Sequence, residues 1–514
     1  MLYRFLFFLT FFLNIAYSFS QEVIDVTDLV LDDNEILNED FYFIEMNNLG
    51  DPLLSLIPNF HNTDLSLSHY SQKYRKASYR KAYLQFETDS IYSHIIYQSS
   101  YSSGGLLNTF LTRPIGKFLQ FNFSYDHLNS EGFYGNQVNN YSSLYVSLNY
   151  FNNKKPYYYK FLFFSNNGEY HHNGGVLYDS LLSLDVMNTY LNSSQTRIKN
   201  RVIDLQHYYL IKPNLLLKYT ILFNFFHRDY HDQAPSSFHY SLTPLLYSID
   251  DDSGYSVNNF CSRLLNSISL SNNNFIFELN HNYYNTDNIV INKTGDLDLV
   301  FSNTISLKER KNIHFKMIFC PFGYNQNNYI FDVGFYIKKA NLTHDFSFLI
   351  KSKRPDFFTE HYNTSYSFDW HNFSPIRNMS FMWSSSLSKL KISLSGSVHH
   401  YRNYLYFNRL VSPVQSVEDI VYYNLVFKKK WILNNIYINS DFVLQKSNNE
   451  IMSLPSLLFK QHIQYDYDIS DNINLLSSID FLIFSKYYIS SYFPLTDLFY
   501  LQLEEKRGVI PLLS

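Results

Sequence analysis

The stretch GKFLQFNFSYDHLNSEGFY, from Gly116 to Tyr134, alternates between large apolar or aromatic side chains and polar ones in its first half. One phase holds Leu119, Phe121, Phe123 and Tyr125, and the other holds Gln120, Asn122, Ser124 and Asp126. Successive side chains on a strand point to opposite faces, so the pattern predicts a β-strand with one apolar and one polar face. The fold therefore depends on what surrounds the apolar face.

The same alternation recurs along most of the chain. It is clear in 215–226, where Lys218 lies in the polar phase, in 296–307, and in 462–469, where Asp466 lies in the polar phase. Similar runs start near Tyr141, Tyr157, Val202, Phe260, Phe275, Ile313, Ile330, Met379, Lys391, Val421, Ile436 and Ile473. Asn-, Asp-, Ser- and Gly-rich segments separate the runs, which indicates an antiparallel up-and-down order with short turns and longer loops alternating.

A soluble β-sandwich also has alternating strands, because each strand buries one face in a core. Two features favour a membrane instead. The runs are ~10 residues long, which spans a bilayer when the strand is tilted and exceeds the ~5 to 6 residues of most soluble strands. The 47 Tyr and 47 Phe also crowd the ends of runs, as in Tyr157–Tyr159 and Tyr422–Tyr423. Aromatic girdles at both membrane interfaces have this placement.

The first 20 residues, with Arg4 followed by an apolar run and then Ser18 and Ser20, predict a secretory signal peptide; a membrane anchor is the less favoured reading. Residues 21–60 form an acidic N-terminal extension, interpreted as a short, solvated periplasmic segment, although it could plug a pore. A basic cluster, Lys73–Lys81, follows near the start of residues 61–514, which we assign to one barrel. Export through a signal peptide, without a later apolar run long enough for a helical span, favours the Gram-negative outer membrane.

Composition excludes other classes. The net charge of -4 gives a nucleic-acid partner no electrostatic support. Cys261 and Cys320 are too few for a disulfide scaffold and are interpreted as structural. A bilayer accepts helices and closed barrels, because an open sheet edge leaves backbone groups unpaired in hydrocarbon. The sequence thus predicts an all-β, transmembrane, antiparallel up-and-down β-barrel of roughly 14 to 18 strands.

Several segments resemble the putative porin family of Bacteroidetes outer membranes. They are NNLGDP (Asn47–Pro52), LNSEGFYGNQVNNYSSLYVSLNY (Leu128–Tyr150), NNGEYHHNGGVLYDS (Asn166–Ser180) and SSYFPLTDLFYLQLEEKRG (Ser490–Gly508). The most specific positions are Ser130, Glu131, Gly132, Phe133, Asn173, Gly174 and Gly175. The resemblance implies an outer-membrane β-barrel that forms a pore, and it implies no defined substrate.

The end of the chain departs from that family. It reads GVIPLLS, with Pro511 inside the would-be last strand and no terminal aromatic residue for the barrel-assembly machinery to recognise. We therefore expect a barrel that lacks its last strands or closes in an unusual way.

A barrel of the predicted size leaves an aqueous channel unless something plugs it. The leading hypothesis is a porin-like barrel for passive diffusion of small hydrophilic solutes. A plugged, structural or adhesive barrel has the same sequence features, and an outer-membrane hydrolase is less favoured because no Ser–His–Asp set stands out. We expect lipid, lipopolysaccharide and the assembly machinery as partners, and no enzymatic activity, cofactor or metal.

Charged residues in the polar phase are the candidates for ion selectivity, since rings of charge select the ions that pass. They are Asp126, Lys218, Arg263, Glu278, Lys316 and Asp466. Glu131 is equally compatible with a role in the fold. His171–His172 and Asp250–Gly254 suggest metal ligands at first sight, but neither has ligand spacing, and a loop or solvated turn is the better reading.

Overall fold

The computed structural model describes residues 42–45, 48, 50–58, 91–99, 103–152, 155–177, 188–240, 254–287, 293–308, 310–361, 373–470, 473–509 and 512–513. The predicted signal peptide, most of the acidic extension, the basic cluster at 73–81 and the aspartates at 250–252 lie outside these residues.

Strands dominate the described part of the chain, with two helices of one turn each. The strands are β1 (Phe43–Glu45), β2 (Leu53–Ser55), β3 (Tyr92–Ser99), β4 (Gly104–Ile115), β5 (Leu119–Ser130), β6 (Asn139–Tyr150), β7 (Tyr157–His171), β8 (Gln195–Lys212), β9 (Leu215–Asp232), β10 (Tyr255–Ser271), β11 (Phe275–Thr286), β12 (Lys293–Lys308), β13 (Lys311–Gly323), β14 (Tyr329–Lys339), β15 (Leu342–Lys353), β16 (Ile376–Leu387), β17 (Ile392–Arg402), β18 (Leu405–Phe407), β19 (Pro413–Gln415), β20 (Ile420–Leu433), β21 (Ile436–Ser447), β22 (Leu457–Ser470), β23 (Ile473–Phe484), β24 (Tyr487–Tyr488), β25 (Ser491–Phe493), β26 (Leu498–Tyr500), β27 (Lys506–Arg507) and β28 (Leu512–Leu513). The helices are α1 (Ser237–Tyr240) and α2 (Phe357–Glu360).

Among the described residues, 20 strands follow one another in the order of a closed barrel: β3 to β17, β20 to β23, and β28. Neighbours pair antiparallel and in chain order, as β5 does with β4 and with β6. The all-β, up-and-down antiparallel barrel expected from the alternation is confirmed.

The strand number exceeds the expected 14 to 18, because one set of connections is shorter than allowed for. Residues Pro213–Asn214 join β8 to β9, and Asn434–Asn435 join β20 to β21. Asn434 has a φ of 52°, the left-handed conformation that two-residue hairpins require. We call this end of the barrel the turn end, and the opposite end, with the longer connections, the loop end.

The two phases of each strand separate as the sequence predicts. On β5, Gln120, Asn122 and Asp126 are buried towards the lumen, and Asn122 is 0% exposed. On β9, Phe223 and Phe225 are exposed on the outer face. Other exposed side chains of the outer face include Ile268, Phe348, Phe381, Val398, Leu425, Phe442, Ile463 and Ile479. These residues form an apolar band suited to lipid.

The adjacent tyrosines do not all belong to girdles. Tyr423 is 49% exposed on the outer face, whereas Tyr422 is 0% exposed on the inner face. Tyr209 and Tyr208 divide in the same way. Neighbouring strand residues point to opposite faces, so each pair supplies one ring to the interface and one to the lumen.

Strands β8 and β9 have 18 residues each, more than the ~10 that cross a bilayer. Their outer faces become polar towards the loop end, where Arg197, Lys199 and Arg201 are exposed. This side of the barrel therefore extends beyond the apolar band.

The strand that completes the barrel order is the shortest strand of the barrel. Strand β28 has two residues and pairs with β23 at Phe481–Leu513 and Leu482–Leu512, and the strand order places it next to β3. By comparison, β8 and β9 pair along nearly their whole lengths. The part of the wall around β28 is the seam of the barrel.

None of the helices within the described ranges has the length and apolar character needed to cross a membrane.

The two faces of β5 give a matched test. We expect Phe123→Lys, on the lipid face, to lower the free energy of unfolding by about 2 to 4 kcal/mol, because it places a charge in hydrocarbon. Ser124→Lys, on the lumen face, is expected to cost much less. Urea unfolding of the two variants in lipid vesicles measures the difference. Equal losses would contradict the assignment of the faces.

Candidate functional site

All six predicted selectivity residues lie on the inner face of the barrel, in phase with buried polar neighbours. Asp126 on β5 accepts hydrogen bonds from Asn108 Nδ2 and from Ser143 Oγ, the latter at 3.3 Å. Asp466 lies on β22 near the turn end. Their part in conduction stays a prediction.

Three of the six lie on adjacent strands. Lys218 on β9 is opposite Ser269 on β10, which is opposite Glu278 on β11. The Lys218 ammonium lies 5.3 Å from the centre of the Tyr208 ring. Lys218 and Glu278, which are separated by β10, place one positive and one negative charge on this part of the lumen wall.

Arg263 lies on β10, nearer the loop end of the barrel than Lys218 and Glu278. Its Nε donates to Asn282 Oδ1 at 2.9 Å, and its guanidinium lies 5.9 Å from the centre of the Tyr284 ring. These two contacts hold the charge against the wall while leaving it on the lumen face.

Lys316 on β13 is directly opposite Asp332 on β14, which accepts a hydrogen bond from Ser347 Oγ at 2.7 Å. Opposite charges at facing positions of an antiparallel pair stabilise each other. Lys316 and Asp332 thus form one opposed pair of charges on this part of the lumen wall.

Within 42–58 the structure describes residues 42–45, 48 and 50–58, which belong to the segment predicted to be a solvated extension or, alternatively, a pore plug; here β1 and β2 pair as a hairpin inside the barrel. At its base, Tyr42 and Leu56 pack in one apolar cluster with Val426, Val443 and Leu458 from the inner faces of β20, β21 and β22. Tyr42 Oη donates to Asp441 Oδ2 at 2.8 Å, and Gln445 Nε2 donates to the Leu56 carbonyl at 2.8 Å. The acidic composition suggested that this segment is solvated. At its base, however, the apolar and aromatic residues Leu56 and Tyr42 pack against the barrel wall.

The tip of this hairpin reaches the wall formed by β5 and β6. Asn48 Nδ2 donates to the carbonyl oxygens of Gln137 at 2.6 Å and Ser130 at 3.3 Å, and Ser130 Oγ donates to Asn48 Oδ1 at 2.6 Å. Asn139 Nδ2 donates to Asp51 Oδ1 at 2.7 Å. We call the hairpin of residues 42–58 the strap, because it joins two walls of the lumen on either side of the seam.

Gly132 makes this contact geometrically possible. Its φ is 75°, and a Cβ atom there would lie 2.5 Å from Gln137 Cβ and 3.1 Å from Asn48 Nδ2. Its neighbours in SEGF, Glu131 and Phe133, are solvent-exposed, except that Phe133 packs edge-on against Tyr134. The segment Ser130–Gln137 is thus the socket for the tip of the strap.

The other glycine motif holds the next loop. Asn173 Oδ1 accepts a hydrogen bond from Gly175 N at 2.9 Å, and Gly174 has a φ of 67° against Leu191. Asn136, at the edge of the socket, donates to the carbonyl oxygen of His172 at 2.7 Å. The socket and the NGG segment therefore form one bonded unit at the loop end.

A second segment crosses the lumen from the C-terminal side. Arg228, on β9, is 0% exposed and donates to the carbonyl oxygens of Pro494 and Leu495. The Phe493 ring stacks on His239 with 5.1 Å between ring centres. Leu501 N donates to the Phe407 carbonyl oxygen at 2.9 Å. We call residues 487–507 the cap. The cap contacts β9, on the far side of the lumen from β23, and it also contacts the β18–β19 hairpin.

The rings of His171 and His172 each contact a neighbouring polar side chain. His171 Nδ1 contacts Asn136 Oδ1 at 3.1 Å, and His172 Nε2 contacts Thr196 Oγ1 at 2.9 Å. Across the described ranges, no group of three or more His, Cys, Asp or Glu side chains has the geometry to hold a metal ion. Cys261 and Cys320 are buried free thiols.

Near the turn end, the inner faces of β16 to β23 surround a cavity of about 520 Å³. Lys428 on β20 and Lys460 on β22 both lie opposite Asp441 on β21. His462 Nδ1 contacts Asp480 Oδ1 at 3.0 Å. We call this site the lysine cavity.

Sequence reasoning missed the lysine cavity and the docking residue Arg228. The available signal was the run KKKW, Lys428–Trp431, in which Lys428 and Lys430 share the inner phase of a strand. Nothing in the local pattern around Arg228 indicates a partner 266 residues away.

This chain is similar to one sequence family and to several solved structures. The profile of a family described as "Putative porin" matches residues 21–514. The chain belongs to this family. Among curated proteins, none matches the chain by sequence.

Solved structures share the fold. The siderophore receptor PirA of Acinetobacter baumannii has a TM-score of 0.59 at 8% identity, covering 84% of this chain and 74% of its own. The ferric yersiniabactin uptake receptor FyuA of Yersinia pestis has a TM-score of 0.60 at 10% identity, covering 84% and 72%. The copper transporter OprC has a TM-score of 0.56 at 9% identity, covering 78% and 70%. This porin-family chain therefore has the fold of outer-membrane barrels.

If Lys218 and Arg263 line the narrow part of the lumen, reversing their charges changes selectivity. We expect Lys218→Glu with Arg263→Glu to shift the reversal potential in a salt gradient towards cations. The control is Lys199→Glu with Arg201→Glu, the same charge change on the outer face. An unchanged potential in the first variant would place both residues away from the constriction.

Acidification is expected to weaken the docking of the cap. Burial, with help from Arg228, lowers the pKa of His172 to about 3. Burial also lowers the pKa of His239 to about 4, against the opposing effect of Asp232. Both imidazoles stay neutral when docked and take up a proton when released, so docking stability is lost as the pH falls below about 6.5.

Hydrogen exchange of the backbone amides of Ser491, Tyr492, Phe493 and Leu495 measures this effect. We expect protection, corrected for intrinsic rates, to fall between about pH 7.5 and about pH 5, and to fall less in His172→Gln with His239→Gln. The amides of β21 are the internal reference. Protection that does not change with pH would contradict the account.

Proposed function

We propose that this chain is an outer-membrane channel through which small hydrophilic solutes diffuse passively, and that the strap and the cap narrow its lumen. The observation that carries the proposal is the double anchoring of the strap. It contacts β20 to β22 at its base and the socket Ser130–Gln137 at its tip, and so lies within the lumen.

The number of strands explains why a constriction matters. Barrels of 16 to 18 strands leave an aqueous channel, and those of about 22 strands carry a plug. A barrel of 20 described strands is wide enough to need internal segments for size selection. Short turns face the periplasm in such barrels, which would place the lysine cavity on the periplasmic side of the strap.

The polar inner face supports passage of hydrophilic solutes. Asn108, Asn224 and Asn424 are only partly buried on the inner faces of β4, β9 and β20, where they contact other polar side chains of the lumen. Amides and hydroxyls on this surface offer hydrogen bonds to water and to sugars without selecting one charge. We infer the same partners as expected from sequence: lipid and lipopolysaccharide outside, and the barrel-assembly machinery during insertion.

A plugged barrel is the second candidate, and a specific observation favours it. Arg228 is fully buried beneath Pro494 and Leu495, so the cap is held by a charged group with no solvent access. In that case the strap or the cap must move before a solute passes. The hydrolase alternative stays a prediction, to be tested by an esterase assay on the solubilised protein.

Conductance of strap variants tests the proposal. We expect wild type in a planar bilayer to show small, stepwise conductance. Asn48→Ala removes three side-chain hydrogen bonds of about 1 kcal/mol each, so the tip should leave its socket part of the time and larger, flickering openings should appear.

The matched control is Asn449→Ala, which removes an exposed amide from a loop outside the lumen contacts. A heat-dependent gel shift must show a folded barrel in every case. A silent wild type with a conducting Asn48→Ala variant would favour the plugged barrel. A silent wild type and a silent variant would overturn the channel proposal.

A further inference from the structure

The lining of the lysine cavity has an excess of positive charge. Five lysines and two aspartates line it. One of the five, Lys429, points away, because its Nζ donates to the Leu390 carbonyl oxygen and lies 4.7 Å from the centre of the Trp431 ring. The remaining four lysines still outnumber the carboxylates.

The register brings these charges into two neighbouring rows. One row contains Ser393, Lys428, Asp441 and Lys460 in consecutive strands. The next row towards the turn end contains Lys430, Asn439, His462 and Asp480. Lys428 and Lys430 lie on alternate residues of β20, and Lys460 lies two strands away on β22. Their ammonium groups therefore face the same cavity.

Each carboxylate of the cavity also contacts a group other than the cavity lysines. Asp441 accepts the hydroxyl of Tyr42 at 2.8 Å, and Asp480 contacts the His462 ring at 3.0 Å. On β13 and β14, by comparison, Lys316 directly faces Asp332. In the lining of the cavity, cations therefore exceed anions.

The strap covers this volume on the side towards the loop end. Val426, Val443 and Leu458 lie one inward position above Lys428, Asp441 and Lys460, and they are buried under Tyr42 and Leu56. The Lys460 ammonium lies 5.9 Å from the centre of the Tyr42 ring. An apolar roof over a charged row lowers the local dielectric and strengthens the attraction for an opposite charge.

We propose that the lysine cavity binds a small oxyanion solute, one that carries a carboxylate or a phosphate group, between Lys428, Lys430 and Lys460. The volume suits a ligand the size of a small metabolite. Lysine clusters of this kind select anions and phosphates in pores. The inference rests on the proposed function only for the route by which the anion arrives.

Calorimetric titration of the refolded barrel in detergent tests the site without requiring conduction. The probes are inorganic phosphate, succinate and, as a neutral control, sucrose. We expect phosphate or succinate to bind the wild type, with affinity about tenfold or more lower in Lys428→Gln with Lys460→Gln, because two charge-assisted contacts are lost. Whichever probe binds more tightly identifies the group recognised.

Two further variants separate binding from general effects of charge and folding. Lys429→Gln removes the same charge from the same tripeptide on the outer face and should bind like the wild type. Asp441→Asn removes a carboxylate from the cavity and should bind the anion more tightly, a gain that a folding defect does not produce. A heat-dependent gel shift confirms each fold.

The proposal is overturned if neither anion binds the wild type, if sucrose binds as well as the anions, or if Lys429→Gln weakens binding as much as the double variant does. Anion binding by a barrel that does not conduct would leave this site in place and remove only the channel proposal.

Discussion

A hydrocarbon layer contains no partner for a backbone hydrogen bond, so a sheet within it must close on itself. In this protein the closing element is β28, with two residues. The strap spans the inside of that seam, with its base on β20 to β22 and its tip on the socket between β5 and β6. The same hairpin that narrows the lumen thus braces the least extensively paired part of the wall.

The segments that carry the family resemblance meet in space. Asn48 and Asp51 of the first segment bind Ser130, Gln137 and Asn139 of the second, and Asn136 of the second binds the loop of the third. Tyr492, from the last segment, lies 5.8 Å from His172 between ring centres. Motifs separated by hundreds of residues therefore build one assembly at the loop end of the lumen, which explains why they are specific while the strands between them show only alternation.

The lumen is not uniform in charge. On β13 and β14 a lysine, Lys316, directly faces an aspartate, Asp332, whereas the lining of the lysine cavity has more lysines than aspartates. A solute moving along the axis would meet polar amides near the socket and cations below the strap. In the proposed channel, the cap and the strap would lie between these two surfaces.

The strand faces were predictable from sequence because alternation is a local property. Leu119 to Tyr125 and Leu215 to Phe226 lie as their period predicts, with polar residues inward and apolar residues in the outer band. Pairs such as Tyr422–Tyr423 were predicted less well, because a run of like residues hides the division between faces.

The sequence left open that the acidic extension plugs a pore, but it could not predict where the strap docks. Its composition is acidic, and its anchors lie 82 residues away at Ser130 and 399 residues away at Asp441. No local pattern encodes contacts of that range. Arg228 and the lysine cavity were missed likewise, since the significance of each charge depends on what the opposite wall or a crossing segment presents to it.

The most direct test of the account is conductance with the strap held in place by a covalent bond. Asp51→Cys with Asn139→Cys, in a chain whose native cysteines are replaced by serine, joins the tip to β6 where the two side chains now hydrogen-bond at 2.7 Å. The account predicts stepwise conductance of the wild-type size, because solutes pass beside a seated strap. Loss of conductance on oxidation, with recovery on reduction, would contradict it and show that the strap must leave the lumen before anything passes.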